Sequence, residues 1–299
     1  MWCSAVSGDN RRRFAFLVAA VVVGLAASAA AAQPSAERGA YIFHAGGCLA
    51  CHTDPKQAAP LAGGPALKTP FGTFYAPNIT PDPVHGIGGW SDADFLRAMR
   101  DGVSPDGRYY YPVFPFTAYT KADESDLLDL KAYLFAQPPV AQSSRQHDVS
   151  FPFSLRLLLM PWRWLNFTAG AWRSDPAKSP AWNRGGYLVE ALGHCGECHT
   201  PRNSIGGLDR SRWLAGSRDG PPDETAPNLT PDEASGIGPW SEADIADTLE
   251  FGMNPDGEPL GNSMADVVRH STSKLNAADR NAIATYLKGL PPLPSAVKR

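Results

Sequence analysis

Apolar residues recur at helical spacing in a few short segments of this chain. Leu127, Leu130 and Leu134 lie three and four positions apart, which predicts a helix with one apolar face. Ile283 and Leu287 repeat this spacing near the C-terminus. Because proline cannot continue a helix, the proline pair that follows each segment ends it. The pattern therefore predicts a matching pair of helices, one closing each half of the chain.

Polar residues and glycines mark the ends of two further helices. Ser91 with Asp94 three positions later is a capping-box pattern, and Gly102 is a typical helix end. The same residue types return at Ser241, Asp244 and Gly252. Helices are also predicted over residues 36–46 and 184–192. With 28 Gly and 28 Pro in the chain, long ordered loops are expected between short helices, and the predicted fold class is all-α.

Sequence repeats indicate an internal duplication. Residues 76–82 (APNITPD) return as residues 226–232 (APNLTPD), 150 positions later. The same offset relates two more pairs of segments, 86–91 with 236–241 and 105–107 with 255–257. A chain of 299 residues is long enough for two ordinary domains. We therefore predict domains over residues 33–140 and 182–299, joined by a linker over residues 141–181.

The predicted linker is rich in large apolar side chains. Phe151-Pro152-Phe153 opens it, and Ser154 is placed to cap a helix that contains residues 155–160. Trp162, Trp164 and Phe167 follow. A linker that packs across both domains and fixes their relation explains these residues. A docking surface for a partner or a membrane is the alternative, because large exposed apolar patches usually mark contacts.

One pentapeptide pattern occurs twice and carries the strongest chemical signal. Residues 48–52 read Cys-Leu-Ala-Cys-His and residues 195–199 read Cys-Gly-Glu-Cys-His, the attachment signature of c-type haem. Thiols three residues apart lie on one face of a helical turn and can reach the two vinyl groups of one porphyrin. The next histidine then meets the iron. The predicted attachment residues are Cys48, Cys51, Cys195 and Cys198, and the predicted iron ligands are His52 and His199.

A zinc half-site and a thioredoxin-like redox pair are the alternatives for a Cys-x-x-Cys pair. Zinc needs four converging ligands, whereas the two patterns are 147 positions apart in two similar domains. A redox pair does not need the following histidine. Cys3 is the only other cysteine among the five, so no disulfide framework remains. We therefore predict two covalently attached haem c groups.

The N-terminal residues have the layout of a secretory signal. Arg11, Arg12 and Arg13 precede an apolar run over residues 14–27, and small residues ending at Ala32 offer a cleavage site. We therefore predict a signal peptide over residues 1–32 and a periplasmic location, with an uncleaved anchor as the alternative. A haem that is attached after export favours the general secretory route over the twin-arginine route.

The charge of the chain narrows the choice of partners. The net charge is −3 at pH 7, and it becomes −5 without the three arginines and one aspartate of the leader. Such a protein lacks the basic surface that nucleic acid requires, and it suits a partner with a basic docking patch. No segment after the leader has 18 uninterrupted apolar residues, so membrane contact is expected to be at most peripheral.

Several motifs together resemble a known family. They are the two haem-attachment patterns, Ala-Pro-Asn-Ile/Leu-Thr-Pro, Gly-Ile-Gly-x-Trp-Ser, Tyr-Pro-x-Phe-Pro-Phe-Thr and residues 194–203 (HCGECHTPRN). The chain resembles the diheme class I c-type cytochromes of the bacterial periplasm. In particular it is similar to cytochrome c subunits that accept electrons from alcohol, aldehyde and molybdenum-dependent dehydrogenases. The resemblance implies two tandem class I cytochrome c domains, each built around one covalent haem.

The resemblance also implies a second axial ligand for each iron. In a class I cytochrome this ligand is usually a methionine on the loop before the last helix, and Met264 has that place, with core packing as its alternative role. Phe114 occupies the equivalent position in the first domain and cannot bind iron. Haem 1 is therefore expected to be five-coordinate or ligated from elsewhere. The other candidates are Met99, Lys121, His44, His85 and His147.

Two functions are consistent with these residues. The favoured one is a periplasmic electron-transfer subunit, which takes electrons from a dehydrogenase and passes them to a soluble cytochrome or a terminal oxidase. The alternative is an oxidoreductase that acts on a small substrate, such as thiosulfate or peroxide, at an open haem 1. The first domain has no obvious acid–base residues for such catalysis, which favours the carrier. The sequence identifies no catalytic residue and no nucleic-acid partner.

Overall fold

A computed structural model describes residues 33–57, 59–219 and 224–297. The predicted signal peptide and Cys3 lie outside the described residues. From Pro34 onward the described residues form one compact unit. Its main apolar core contains residues of both sequence copies, including Ile42 and Leu127 from the first and Leu192 and Ile283 from the second. The two copies share this core. The predicted division into domains at residues 140 and 182 stays a prediction.

The elements of the first copy precede and follow its haem-type motif. They are α1 (Ala36–Ala45), α2 (Cys48–His52), β1 (Ala66–Thr69), β2 (Gly72–Tyr75), α3 (Asp92–Asp101), α4 (Phe116–Tyr119) and α5 (Glu124–Phe135). Both predicted capping boxes are confirmed, and Gly102 and Gly252 end their helices in the left-handed conformation, with φ of 61° and 72°.

The second copy repeats this helical plan. After β3 (Asp148–Val149), a 3-10 turn (Arg156–Leu158) and α6 (Leu159–Asn166), the elements are α7 (Pro180–Tyr187), a π-helical turn (Leu188–Leu192), α8 (Gly196–His199), α9 (Glu242–Phe251), α10 (Asn262–His270) and α11 (Ala277–Lys288). Two further 3-10 turns lie at Arg210–Arg212 and Thr272–Lys274.

A small sheet corrects the expectation of an all-α fold. Strands β1 and β2 form an antiparallel hairpin in which Ala66 lies opposite Tyr75, and β3 from the linker pairs with β2. Phe74 of β2 packs with Tyr111 and Leu159 in a second apolar cluster. The sheet lies in a segment that the Gly and Pro content predicted to be loop. It forms because the linker supplies a third strand and an apolar cover, which two short strands lack by themselves.

Each copy brings its first and last helices together at a glycine. A Cβ atom on Gly39 of α1 would lie 1.9 Å from the carbonyl oxygen of Asp129 in α5. A Cβ atom on Gly185 of α7 would lie 1.9 Å from the carbonyl oxygen of Ala282 in α11. Both helix pairs therefore approach backbone to backbone, which only glycine permits.

The π-helical turn accounts for one residue that the second copy has gained. Gly39 and Gly185 are 146 positions apart, whereas the two haem-type motifs are 147 apart. In the first copy, the Gly46 N–H donates to the carbonyl of Ile42, four residues back. In the second, the Gly193 N–H donates to the carbonyl of Leu188, five residues back. The extra residue is thus absorbed within the helix, and the motif keeps its position.

Two tyrosines connect the copies in a reciprocal way. Tyr41 of α1 donates to Asp279 at 2.6 Å and accepts from the backbone N–H of Asn276, which caps α11. Tyr187 of α7 donates to Asp126 at 2.6 Å and accepts from the backbone N–H of Asp123, which caps α5. Desolvation and the carboxylate raise the pKa of Tyr41 to about 12, so the phenol stays protonated. Each first helix is therefore tied to the last helix of the other copy.

Changing Tyr187 to phenylalanine is expected to lower the free energy of unfolding by about 2 kcal/mol, because the half-buried carboxylate of Asp126 and an N-cap N–H both lose their partner. Urea denaturation of the haem-loaded protein measures this change. Tyr133→Phe is the matched control, since the structure gives the Tyr133 hydroxyl no hydrogen-bond partner among the described residues. Equal stability of the two variants would contradict a role for the tyrosine in joining the copies.

The linker packs on both copies and is also exposed. The Trp162 indole donates to the carbonyl of Ile205 in the second copy, and the Arg163 guanidinium lies 5.0 Å from the Phe116 ring centre in the first. The predicted helix after Ser154 is wrong in its start, because residues 156–158 form a 3-10 turn and α6 begins at Leu159. Among the described residues, no helix is long and apolar enough to span a bilayer.

Candidate haem sites

Both motifs form a single helical turn, as their spacing predicts. Cys48 and Cys51 lie on α2, while Cys195 caps α8 and Cys198 lies within it. None of these four cysteines forms a disulfide, and the second thiol of each motif is exposed while the first is half-buried. In the described parts of the chain, no three His, Cys, Asp or Glu side chains converge as a metal-ion site.

The two motif histidines are oriented in the same way. The Nδ1 atom of His52 lies 2.8 Å from the carbonyl oxygen of Pro77, and Nδ1 of His199 lies 2.8 Å from that of Pro227. Because a carbonyl only accepts, each Nδ1 carries the proton and each Nε2 keeps a free lone pair. Burial lowers the pKa of both histidines, which favours the neutral imidazole that a metal requires. These residues therefore fit an iron ligand on the Nε2 side.

The proline carbonyls are held in place by the residue that follows each proline. Asn78 is 2% exposed, and its amide donates to the carbonyls of Val140 and Gln142. Asn228 is equally buried and donates to the carbonyl of Leu293 at 2.7 Å. Both asparagines bind the chain just after the last helix of their own copy. This contact explains the Asn-Ile/Leu-Thr repeat, which supplies a second layer of residues behind each histidine.

The first thiol of each motif is partly buried and has a raised pKa. Burial raises the pKa of Cys48 and Cys195 to about 12, with smaller contributions from neighbouring groups. A thiolate-dependent redox pair has a lowered pKa instead. The first thiol of each motif therefore differs from the thiol of such a redox pair.

The structure places the predicted axial residues as follows. Met264 is half-buried in the first turn of α10, three residues after Gly261. Phe114 is partly buried and packs against the main core, 5.6 Å from the Tyr110 ring and 5.8 Å from the Tyr119 ring. An aromatic side chain thus fills the equivalent position in the first copy.

The other candidate ligands of haem 1 have other partners. Met99 is a core residue on α3, and Lys121 forms an ion pair with Glu190. His44 and His85 lie beside the carbonyl of His270 and the carboxylate of Asp82. His147 contacts the backbone N–H of Tyr75 at 3.3 Å.

The two motifs begin next to each other. His194, which precedes Cys195, has its Nε2 atom 3.3 Å from the carbonyl oxygen of Gly46. Tyr119 donates to the same oxygen at 3.2 Å, and its ring lies edge-on to the His194 ring with centres 5.7 Å apart. The sequence gives no sign of this meeting, because 148 positions separate the two residues.

A cavity of about 710 Å³ lies between the linker and the second motif. Glu197 of the motif accepts from Thr117 at 2.9 Å and from Arg202 at 2.7 Å. Lys121 and Arg210 also line it, so its wall is mainly basic. Its described lining residues do not include Phe114.

A comparison with protein-family models finds no match, whereas curated proteins similar to this chain are found. The chain is 48% identical over 262 residues to a protein named diheme cytochrome c-type from Cereibacter sphaeroides, and the alignment covers 86% of each. It is 40% identical over 265 residues to the fructose dehydrogenase cytochrome subunit of Gluconobacter japonicus, covering 88% of this chain and 54% of that one. It is 40% identical over 287 residues to the gluconate 2-dehydrogenase cytochrome c subunit of Pantoea cypripedii, covering 91% of this chain and 64% of that one.

A helical protein with two such motifs belongs to the class of c-type cytochromes. The chain is a member of the diheme cytochromes c, a family whose name implies two haem c groups. The resemblance inferred from the motifs is therefore confirmed. Several of the relatives are named as cytochrome subunits of dehydrogenases, and this kinship supports an electron-transfer role.

Proposed function

We propose that this protein is a periplasmic subunit that carries electrons from a dehydrogenase through two covalently attached haems to a soluble cytochrome or a terminal oxidase. The observation that supports it best is the pair of motif histidines, each with Nδ1 held 2.8 Å from a proline carbonyl and Nε2 left free. When bound, each haem supplies the one-electron chemistry of its iron. The four motif cysteines would hold the two groups, and Met264 would complete the ligands of the second.

The test uses the purified haem-loaded protein. It is expected to be reduced by a dehydrogenase fraction from the native periplasm in the presence of that enzyme's substrate, and to reduce a soluble cytochrome or an oxidase-containing membrane fraction. Mass spectrometry of the denatured protein is expected to show two haems on a chain that starts near Gln33. A chain that turns over a small substrate without any partner would overturn the carrier role.

Exposed apolar residues concentrate on the linker and suit the dehydrogenase partner. Seven such side chains fall within residues 151–165: Phe151, Phe153, Leu155, Leu157, Leu158, Trp164 and Leu165. A patch of this kind usually marks a protein contact. We propose it as the surface that the dehydrogenase covers.

Replacing Leu157 and Trp164 together by serine is therefore expected to reduce copurification with the dehydrogenase by about tenfold, the loss expected from removing roughly 1.4 kcal/mol of apolar contact. Both side chains are about three-quarters exposed, so folding is expected to be unaffected. Val84→Ser, which changes an equally exposed residue of the first copy, is the matched control. Loss in the control alone, or in neither variant, would refute the proposed surface.

Met264→Ala is expected to lower the midpoint potential of one haem by roughly 0.1 V or more, within the roughly 0.8 V range that axial ligands span, and to leave the other haem nearly unchanged. The thioether stabilises ferrous iron, so its loss favours the ferric state. A spectroelectrochemical titration measures both potentials. Met253→Ala, in an exposed residue of the same copy, is the control. An unchanged pair of potentials would remove Met264 from the ligand set.

The alternative function, oxidation or reduction of a small substrate at an open haem 1, is supported only by Phe114 in the place of a ligand. Carbon monoxide is expected to bind one haem of the reduced protein if that position is open. Turnover of thiosulfate or peroxide by the isolated protein would favour the enzyme. Binding of carbon monoxide without turnover would leave the carrier role in place.

A further inference from the structure

His194 has a left-handed backbone conformation. At the equivalent position of the other copy, a glycine has this conformation. The φ of His194 is 39°, in the left-handed region that most residues avoid. The equivalent residue, 147 positions earlier, is Gly47 with φ of 60°. A side chain kept where glycine would be unstrained points to a role for that side chain.

The imidazole of His194 is directed at the first motif. Nε2 lies 3.3 Å from the carbonyl oxygen of Gly46, so Nε2 carries the proton and donates it to the hydrogen bond. Tyr119 donates to the same oxygen at 3.2 Å, which uses both lone pairs of that carbonyl. Because Gly47 has no side chain, the symmetric contact from the first copy to the second cannot form. The two copies therefore share one such contact.

This hydrogen bond makes a short bonded path between the two haem-attachment segments. On one side, the backbone of His194 continues directly into Cys195. On the other, the Gly46 carbonyl continues through Gly47 into Cys48. A second hydrogen-bonded path is longer: it runs from the Gly46 carbonyl through Tyr119 and the backbone to Thr117, which donates to Glu197. The purely covalent path between the two cysteines runs through almost half of the chain.

We propose that His194 is a positioning residue that holds the two haem-attachment segments together and provides the bonded path for electron transfer between the two haems. The inference rests on the proposed electron-transfer function. The path would carry one electron at a time from one haem, as donor, to the other, as acceptor. No bond is broken and no proton moves, because His194 keeps the proton on Nε2.

The contact is separate from the interactions that hold the copies together. Tyr41 and Tyr187 join the copies at the starts of the last helices, and Lys121 pairs with Glu190. Removal of the imidazole therefore leaves these connections intact. Burial lowers the pKa of His194, which keeps the ring neutral at the pH of the experiment.

The experiment compares His194→Gly, His194→Asn and Tyr119→Phe with the unchanged protein, each loaded with two haems. Glycine and asparagine both accept a positive φ, so both variants are expected to fold. Photoreduction followed by absorbance at wavelengths that separate the two haems measures the rate of internal electron equilibration. That rate is expected to fall several-fold in His194→Gly and to recover in part in His194→Asn, which keeps an N–H donor. Tyr119→Phe, which removes only the hydrogen bond within one copy, is expected to change it little.

A His194→Gly variant with an unchanged rate of electron equilibration would overturn the proposal, whether or not the variant loses stability in urea. An equal fall in Tyr119→Phe would also overturn it, because the cross-copy contact would then not be the cause. Reduction of each preparation by the dehydrogenase is measured separately. A protein that equilibrates internally but accepts no electrons from any dehydrogenase would refute the proposed function, but not the role of His194 in electron transfer between the haems.

Discussion

Replacing Cys195 and Cys198 together by alanine is expected to remove one of the two haems that we propose to be covalently bound. Cys195 caps α8, Cys198 lies within the same turn, and neither has a disulfide partner. With no thiol on that turn, no thioether can form, and a haem held only by His199 would be extracted with acid and solvent. Since haem is expected to fill the middle of its core, the second copy should also lose much of its stability, by analogy with metal-coupled folding.

Mass spectrometry and the pyridine haemochrome spectrum of the denatured protein measure this loss directly. The corresponding change of Cys48 and Cys51 should remove the other haem and leave the second in place. Cys3→Ala is the control, because that cysteine belongs to the predicted leader. Two haems retained in the Cys195/Cys198 variant would rule out thioether attachment at this motif.

Gly185→Ala is expected to destabilise the protein by about 3 kcal/mol or more, because the new methyl group meets backbone and not a movable side chain. Its Cβ would lie 1.9 Å from the carbonyl oxygen of Ala282, so α7 and α11 must separate. Separation would disturb the core beside the second motif. Gly39→Ala should act in the same way on α1 and α5.

Urea denaturation and the yield of haem-loaded protein measure the effect of these two changes. Gly89→Ala is the matched control, because its Cβ would meet nothing closer than 3.7 Å and the second copy carries Pro239 at that place. A stability of Gly185→Ala close to that of Gly89→Ala would show that the helices do not touch at this glycine.

Local patterns predicted the helices well where one short signal decides them. Ser91 with Asp94 and Gly102 forecast both ends of α3, since a cap depends only on residues within one turn. The small sheet escaped prediction because β2 is completed by β3, which lies more than 70 residues later in the linker. The start of α6 was missed because Ser154 lies next to a 3-10 turn that no local rule distinguishes from a helix.

The sequence alone determined the chemistry of this protein. Two Cys-x-x-Cys-His patterns and the 150-residue repeat predict two haem sites in two related halves, because spacing along one helical turn is a local property. Only the tertiary structure decided how the halves meet. Three sets of contacts join residues that are far apart in the chain: the reciprocal tyrosines, the proline carbonyls beside His52 and His199, and the contact of His194 with Gly46. A repeating pattern along the sequence does not show which distant residues touch.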